Sequence, residues 1–317
     1  MTPQMPLGTG FGPRTTARDV LRDRRLDGLR VVITGGSAGV GLETTRALAS
    51  AGAHVRVGAR SQAKAREALA GVANVEIDSL DLADPASIDA FAARTLASDR
   101  PVQVLLNNAG IMAVPLSRDA RGFESQLATN HLGHFQLTAR LWPALVAARG
   151  ARVVTLSSRG HVRGAIDLED PMFVRRPYDK WVAYGQSKTA NALFALALDE
   201  RGARSGVRAF SVHPGAIVET DLARSLSPEE MGAAIEAARK VPAGFKSVAE
   251  GAATSVWCAT SPQLDGLGGV YCEDCDIAIA APADSPEPRG VRPWARDPEV
   301  AERLWRASEE WTGARLG

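Results

Sequence analysis

Short apolar runs alternate with helical patterns along most of the chain. Leu29–Thr34, His54–Ala59, Val75–Asp78, Val102–Asn107, Arg152–Ser157 and Arg208–His213 are runs of strand length, and Gly269–Cys272 is a last short one. Between them, Gly41–Ala51, Ser61–Leu69, Pro85–Ala97, Glu124–Ala148, Asp179–Arg201 and Ser247–Ala259 carry apolar residues at helical spacing. Pro85 falls in a first turn, where its missing N–H costs nothing. Pro143 predicts an interruption of the long fourth helical stretch. Strand–helix alternation at this spacing predicts an α/β fold, a doubly wound parallel sheet covered on both faces.

The ends of the chain differ from this middle. Residues 1–25 form a polar lead-in with Gly and Pro and one short helix expected near Thr16–Arg24. Residues 26–279 hold the alternating pattern and read as a single domain. Residues 280–317 form a Pro-rich crossing loop followed by a C-terminal helix. In that helix Asp297-Pro298 supplies an N-cap and first-turn proline, and Val300, Leu304, Ala307 and Trp311 give one apolar face ended by Gly313.

Composition narrows the class. Hydrophobic residues make up 45% of the 317, enough for a large core. The net charge is +1, which gives no electrostatic case for nucleic acid or an anionic membrane surface. No apolar run reaches the ~18 residues of a membrane span. Residues 1–20 lack the apolar stretch of a secretory signal. Three cysteines are too few for a disulfide framework and point to a reducing, cytoplasmic setting. Cys272-Glu-Asp-Cys275 is half of a zinc site at most, and His131, His134 and His161 have no acidic partner at ligand spacing, so no metal is expected.

The first strand runs from Thr34 directly into Gly35-Gly36-Ser37-Ala38-Gly39-Val40-Gly41 and then into a helix. Glycines there permit a tight turn and close approach of a pyrophosphate, and the helix N-terminus offers free N–H groups to it. That is the arrangement of a Rossmann fold. NAD enzymes usually place an acid about 20 residues further on, at the end of the second strand, for the ribose 2′-hydroxyl. This chain has Gly58-Ala59-Arg60-Ser61, with a cation and no carboxylate. Arg60 suits a 2′-phosphate, so NADP(H) is favoured over NAD(H), the alternative being a solvated surface arginine.

A second signal lies in Tyr184-Gly-Gln-Ser-Lys188. Four residues apart on a helix, the phenol and the amine share one face. A phenol titrates near ~10 alone and is a poor acid–base group at neutral pH. A neighbouring ammonium is expected to lower that value.

Together these residues resemble the short-chain dehydrogenase/reductase family over about Leu26–Cys275. The family's glycine motif corresponds to Thr34–Gly41, its adenine-side acid to Asp81 before Leu82, and its Asn-Asn-Ala-Gly motif to Asn107, Asn108, Ala109 and Gly110. The resemblance implies catalytic roles for Asn130, Ser158, Tyr184 and Lys188, and places Pro214, Gly215 and Thr220 beside the nicotinamide. The Leu156–His161 segment, Asn130-His-Leu-Gly-His-Phe135 and the 26-residue spacing of Ser158 and Tyr184 are similar to the retinol dehydrogenase, WW-domain oxidoreductase and protochlorophyllide reductase-like branch. An oxidoreductase interconverting a carbonyl and a secondary alcohol is therefore expected. Reduction of a conjugated C=C bond and a catalytically silent dinucleotide sensor are the alternatives.

The substrate pocket is expected from Met112–Leu116, the Arg159–Ala183 insert and the Ile217–Phe245 segment. Their aliphatic residues, with Tyr178, Trp181, Arg175 and Arg176, suggest a mid-sized, largely apolar small-molecule carbonyl or alcohol substrate. The helix Asp179–Arg201 is apolar on more than one face through Ala190, Leu193, Phe194, Leu196, Ala197 and Leu198. Its surplus face could pack on a second subunit or under the tail helix, so monomer and homodimer both stay open.

Overall fold

The computed structural model describes residues 2–239 and 244–317. After a short helix α1 (Ala17–Leu21), the chain alternates β1 (Arg30–Thr34), α2 (Gly39–Ser50), β2 (His54–Ala59), α3 (Gln62–Ala68), β3 (Val75–Ser79), α4 (Pro85–Leu96) and β4 (Val104–Asn107). It continues through α5 (Ser125–Leu127), a π-helical turn (Ala128–Leu132), α6 (Gly133–Ala147), β5 (Arg152–Leu156), α7 (Lys180–Gly202) and β6 (Arg208–His213). Then follow α8 (Pro228–Arg239), α9 (Val248–Thr260), β7 (Val270–Glu273), β8 (Asp276–Ile277) and α10 (Pro298–Thr312). The eight strands form one sheet in the order β3-β2-β1-β4-β5-β6-β7-β8, parallel except for β8 against β7.

The central strands are β-branched and buried, as in Arg-Val-Val-Ile-Thr for β1 and Arg-Val-Val-Thr-Leu for β5. One face is covered by α4, α6, α7 and α10, the other by α1, α2, α3 and α9. The chain winds outward from β1 to β3 and then crosses back to place β4 on the other side of β1. This reversal opens a crevice at the carboxyl ends of β1 and β4, where doubly wound sheets take their ligands.

Four features depart from the sequence pattern. The interruption in the long helix is the π-turn at Ala128–Leu132, whereas Pro143 sits inside an unbroken α6. Two elements were not read from the pattern. The two-residue strand β8 is too short to show a period. Helix α8 is announced by Ser227-Pro-Glu-Glu230, whose Ser227 and Glu230 cap each other reciprocally at 2.9 and 3.2 Å. Residues 240–243 of the expected pocket segment lie outside the described residues. Finally, the buried face of α10 is Ala301, Leu304, Trp305 and Ser308, one position round from the expected stripe. Val300, Ala307 and Trp311 flank it half-buried.

Trp305 sets that rotation. Its ring stacks on Phe194 of α7 (centroids 5.8 Å apart, planes 9° apart), meets the edge of Phe135 at 4.9 Å, and carries the Arg201 guanidinium at 4.3 Å. The apolar surplus of α7 is thus buried beneath the chain's own tail, with Leu193, Phe194 and Leu198 all in one core. The lead-in is equally engaged. The Gln4 amide accepts from Tyr271 N–H at 2.9 Å and donates to the carbonyls of Tyr271 and Ala278, while Asp276 accepts from the N–H groups of Leu7 and Gly8.

Trp305→Ala should destabilise the protein by about 3–5 kcal/mol, the usual cost of emptying a buried aromatic site. Urea unfolding at unchanged m-value checks this. A loss below about 1 kcal/mol would mean that α10 does not hold the α7 face.

Candidate active site

The glycine turn packs as tightly as its sequence suggested. Gly35 and Gly39 have φ of 64° and 49°, and a Cβ on Gly41 would stand 2.2 Å from the Gly35 carbonyl oxygen. Ala38 gives α2 no side-chain cap, so the first N–H groups of the helix face the turn unclaimed by a side chain. Ser37 and Val40 are half-buried in the same turn and Ala38 is exposed. This is a cradle that any Cβ would fill, and it fits the pyrophosphate of a dinucleotide.

A buried hydrogen-bond crossing joins the cradle to β4. Thr34 Oγ1 accepts from the N–H groups of Asn108 and Ala109 at 3.0 and 2.9 Å. The Asn108 amide donates to the Thr34 carbonyl at 2.9 Å. Thr34 Oγ1 also lies 2.8 Å from His134 Nε2, and His134 Nδ1 lies 2.9 Å from the Asn130 carbonyl. A carbonyl only accepts, so Nδ1 carries the proton and Nε2 accepts from the threonine hydroxyl. His134 is therefore neutral, and burial holds its pKa at about 4.

Of the four expected catalytic residues, Asn130 and Lys188 meet at Gly110, and Tyr184 and Ser158 lie on the other side of Lys188. Asn130 stands in the π-turn, where its amide accepts from Ile111 N–H at 2.9 Å and donates to Ile111 carbonyl and Ser187 Oγ. A Cβ on Gly110 would lie 3.2 Å from Asn130 Oδ1 and 3.5 Å from Lys188 Nζ. Lys188, only 4% exposed, donates to the Leu156 carbonyl at 2.9 Å and makes no ion pair among the described residues. Its Nζ is 5.7 Å from the Tyr184 ring centroid. Ser158 follows β5, accepts from Gly160 N–H at 3.0 Å, and its hydroxyl is the group that draws the Tyr184 pKa down. Gly160 lets the backbone press on that ring, since its Cβ would be 2.8 Å from Cε1.

The electrostatics differ from expectation. Burial pushes the Tyr184 phenol up to about 12, and the group pulling it down is Ser158. Lys188 is not among the groups that lower it, and burial brings its own amine down to about 8.

At the cofactor's expected ends, Arg60 is exposed at the end of β2. Asp81 Oδ1 accepts from Ala83 N–H at 3.0 Å and Leu82 is buried beside it. Pro214 and Gly215 follow β6, and the methyl of Thr220 lies 3.0 Å from where a Gly39 Cβ would be. The β6 segment and the cradle therefore share one crevice. A separate cavity of about 300 Å³, among Arg30, His54, Arg56 and Arg100, lies at the amino ends of the strands and away from these residues.

Several residues take supporting parts that the sequence did not assign to them, Lys246 and Asp170 without having been singled out at all. His161 donates from Nδ1 to the Ser158 carbonyl at 2.7 Å and accepts from Arg292 N–H at Nε2. His131 Nε2 lies 2.8 Å from Ser308 Oγ of α10. The three histidines thus face three different partners, and no cluster that could hold a metal occurs among the described residues. Lys246 packs against Gly215 and pairs with Asp274 at 2.6 Å. In the insert, Asp170 gathers the N–H groups of Val174, Arg175 and Arg176. The Arg175 and Arg176 side chains bond within the insert and to Gln186. Tyr178 hydrogen-bonds the Val114 carbonyl at 2.9 Å, and Trp181 carries Arg163 at 4.9 Å.

Comparison with known proteins gives the family. The sequence model of the short chain dehydrogenase family matches residues 30–231. A Streptomyces lividans protein named “Probable oxidoreductase” is 44% identical over 88% of this chain and 96% of its own. Human retinol dehydrogenase 12 is 39% identical, over 92% of this chain and 88% of its own. A solved structure of an uncharacterized protein from Mycobacterium paratuberculosis superposes with a TM-score of 0.74 at 35% identity, covering 96% of this chain and 99% of that one.

Stability should fall as the pH drops from about 6.5 toward 4. His131, His134 and His161 have folded pKa values of about 3, 4 and 4, below the ordinary 6.5. The unfolded chain then binds more protons in that window, and the stability present above 6.5 is lost on acidification. Urea midpoints at pH 7 and pH 5 check this, and a flat profile would contradict it. His134→Gln should make the profile less steep, since it removes one of the three.

Proposed function

Because the chain belongs to the short-chain dehydrogenase/reductase family and is an NAD(P)-dependent oxidoreductase of that family, we propose that it uses NADP(H) to interconvert a carbonyl and a secondary alcohol. The observation that carries this is the Lys188 amine. Among the described residues it is buried with one protein acceptor for three ammonium donors and no carboxylate to pair with. Ribose hydroxyls would satisfy the remaining donors. The pyrophosphate would rest on the Gly35–Gly41 turn, the adenine beside Asp81 and Leu82, and a 2′-phosphate on Arg60. Asn108, Ala109 and Gly110 would wall the crevice, with Pro214, Gly215 and Thr220 on its nicotinamide side.

NADP(H), when bound, supplies or accepts the hydride at the substrate carbon. The chain supplies position and the proton. A carbonyl oxygen would lie between Ser158 Oγ and Tyr184 Oη. A phenol held up near 12 stays protonated at neutral pH, as reduction requires of an acid. Tyr184 would pass its proton to the oxygen as negative charge develops there. Ser158 would orient that oxygen by a hydrogen bond, and Lys188 would offset the charge left on the phenolate. Asn130 holds the 111 loop against Lys188 and would keep the amine facing the crevice. Oxidation would reverse the path with Tyr184 as base. The aliphatic and aromatic residues of the 112–116 loop and the insert, Tyr178 and Trp181 among them, would favour a mid-sized, mainly apolar substrate. Three free, buried thiols suit a reducing, cytoplasmic setting.

Tyr184→Phe should cut turnover by about 10²–10⁴ while leaving NADPH affinity nearly intact, since it removes the proton and keeps the ring. A screen of ketones and aldehydes, followed by nicotinamide absorbance, checks this. Full activity would overturn the mechanism. Lys188→Ala should weaken both turnover and NADPH binding, and unchanged affinity would remove the ribose contact.

Arg60→Ala should weaken NADPH by roughly 10- to 100-fold and leave NADH nearly unchanged, a charged hydrogen bond being worth about 1.5–3 kcal/mol. Fluorescence titration of both cofactors checks this. Equal affinity of the unmodified protein for NADH would make Arg60 an ordinary surface residue.

A further inference from the structure

Arg159 follows Ser158 directly, and its use is not accounted for by the fold. The other partly buried arginines near the sheet ends are committed. Arg152 pairs with Asp265 at 2.7 Å, Arg208 with Asp199 at 2.8 Å, and Arg292 donates to three backbone carbonyls. The Arg159 backbone N–H lies 3.3 Å from His213 Nδ1, but its guanidinium makes no hydrogen bond and no ion pair among the described residues. The residue is only partly exposed. Its charge is felt by His213 at the end of β6 and by Tyr271 of β7, and it feels Glu273 in turn. Those strand ends border Ser158.

The nearby counter-charges are used elsewhere. Glu273 accepts from Gly290 N–H at 2.9 Å and lies 3.9 Å from Arg289. Asp274 pairs with Lys246 at 2.6 Å. A guanidinium with five donors, partly withdrawn from water and unpaired, is a strong site for a bidentate carboxylate.

We propose that Arg159 is a specificity residue that binds an anionic group, a carboxylate, carried by the substrate a few bonds from its reacting carbonyl. This rests on the carbonyl-reductase reading above and narrows its substrate class to keto acids with an apolar body.

The test uses matched pairs: phenylglyoxylate and 3-benzoylpropionate, each against its methyl ester, with NADPH. The unmodified enzyme should prefer at least one acid over its ester in kcat/KM. Arg159→Gln should reduce that acid-over-ester ratio about 10-fold or more, mainly through KM, and Arg159→Lys should retain part of it. A ratio unchanged in Arg159→Gln would overturn the proposal and leave Arg159 as a counter-charge to Glu273. Binding of 4-phenylbutyrate and its amide to the NADP-loaded enzyme, measured by calorimetry, needs no turnover. Acid binding that is selective and lost in Arg159→Gln supports the proposal even if no ketone is reduced, in which case only the catalytic reading fails. Equal binding of acid and amide would overturn it.

Discussion

An amine buried where it cannot be fully satisfied by protein is the constraint around which the rest is arranged. Lys188 reaches one carbonyl, that of Leu156, and otherwise faces the hollow left by Gly110. Burying a charge without a partner is costly, and the structure answers by lowering the amine to about 8. The same desolvation raises the neighbouring phenol to about 12. Both pKa values are therefore displaced toward the neutral form, and polar groups entering the crevice would move them back. The glycines of the cradle and of Gly160 serve the same end by bringing backbone close without side-chain bulk.

Two neutral histidines fix the chemistry in place. His134 clamps the Asn130 carbonyl and His161 clamps the Ser158 carbonyl, each through Nδ1–H. Their other nitrogens accept from Thr34 of the cradle and from Arg292 of the crossing loop. His131 extends the web to Ser308 of α10. The tail is thereby connected to the π-turn that carries Asn130, while Trp305 anchors it on α7. Protonating any of these rings would place a donor against a donor or strand a buried charge, so the clamp depends on burial keeping them neutral.

Much of this was legible in the residues. Strand and helix periods gave the doubly wound sheet, with β2 and β6 matched to the residue. The glycine turn and the Tyr184–Lys188 spacing are local patterns whose chemistry survives translation into three dimensions. What escaped is what depends on contacts across the fold. The π-turn has no periodic signature, so the break was placed at Pro143. The rotation of α10 follows from where Trp305 finds Phe194, which no helical wheel contains. The roles of His134 and His161 rest on partners 100 and 131 residues distant. The expected effect of Lys188 on Tyr184 failed because spacing reports proximity but not desolvation.

The central claim is that the Lys188 amine is held in reserve for a dinucleotide ribose. It is tested most directly by an NMR pH titration of 13C-labelled lysine side chains, with Lys188→Arg to assign the resonance. In the protein alone Lys188 should titrate near 8, well below the ordinary value of about 10.4. Adding NADPH should raise that pKa, because new acceptors favour the charged form. A Lys188 resonance that titrates at the ordinary lysine value, or that NADPH leaves unmoved, would contradict it.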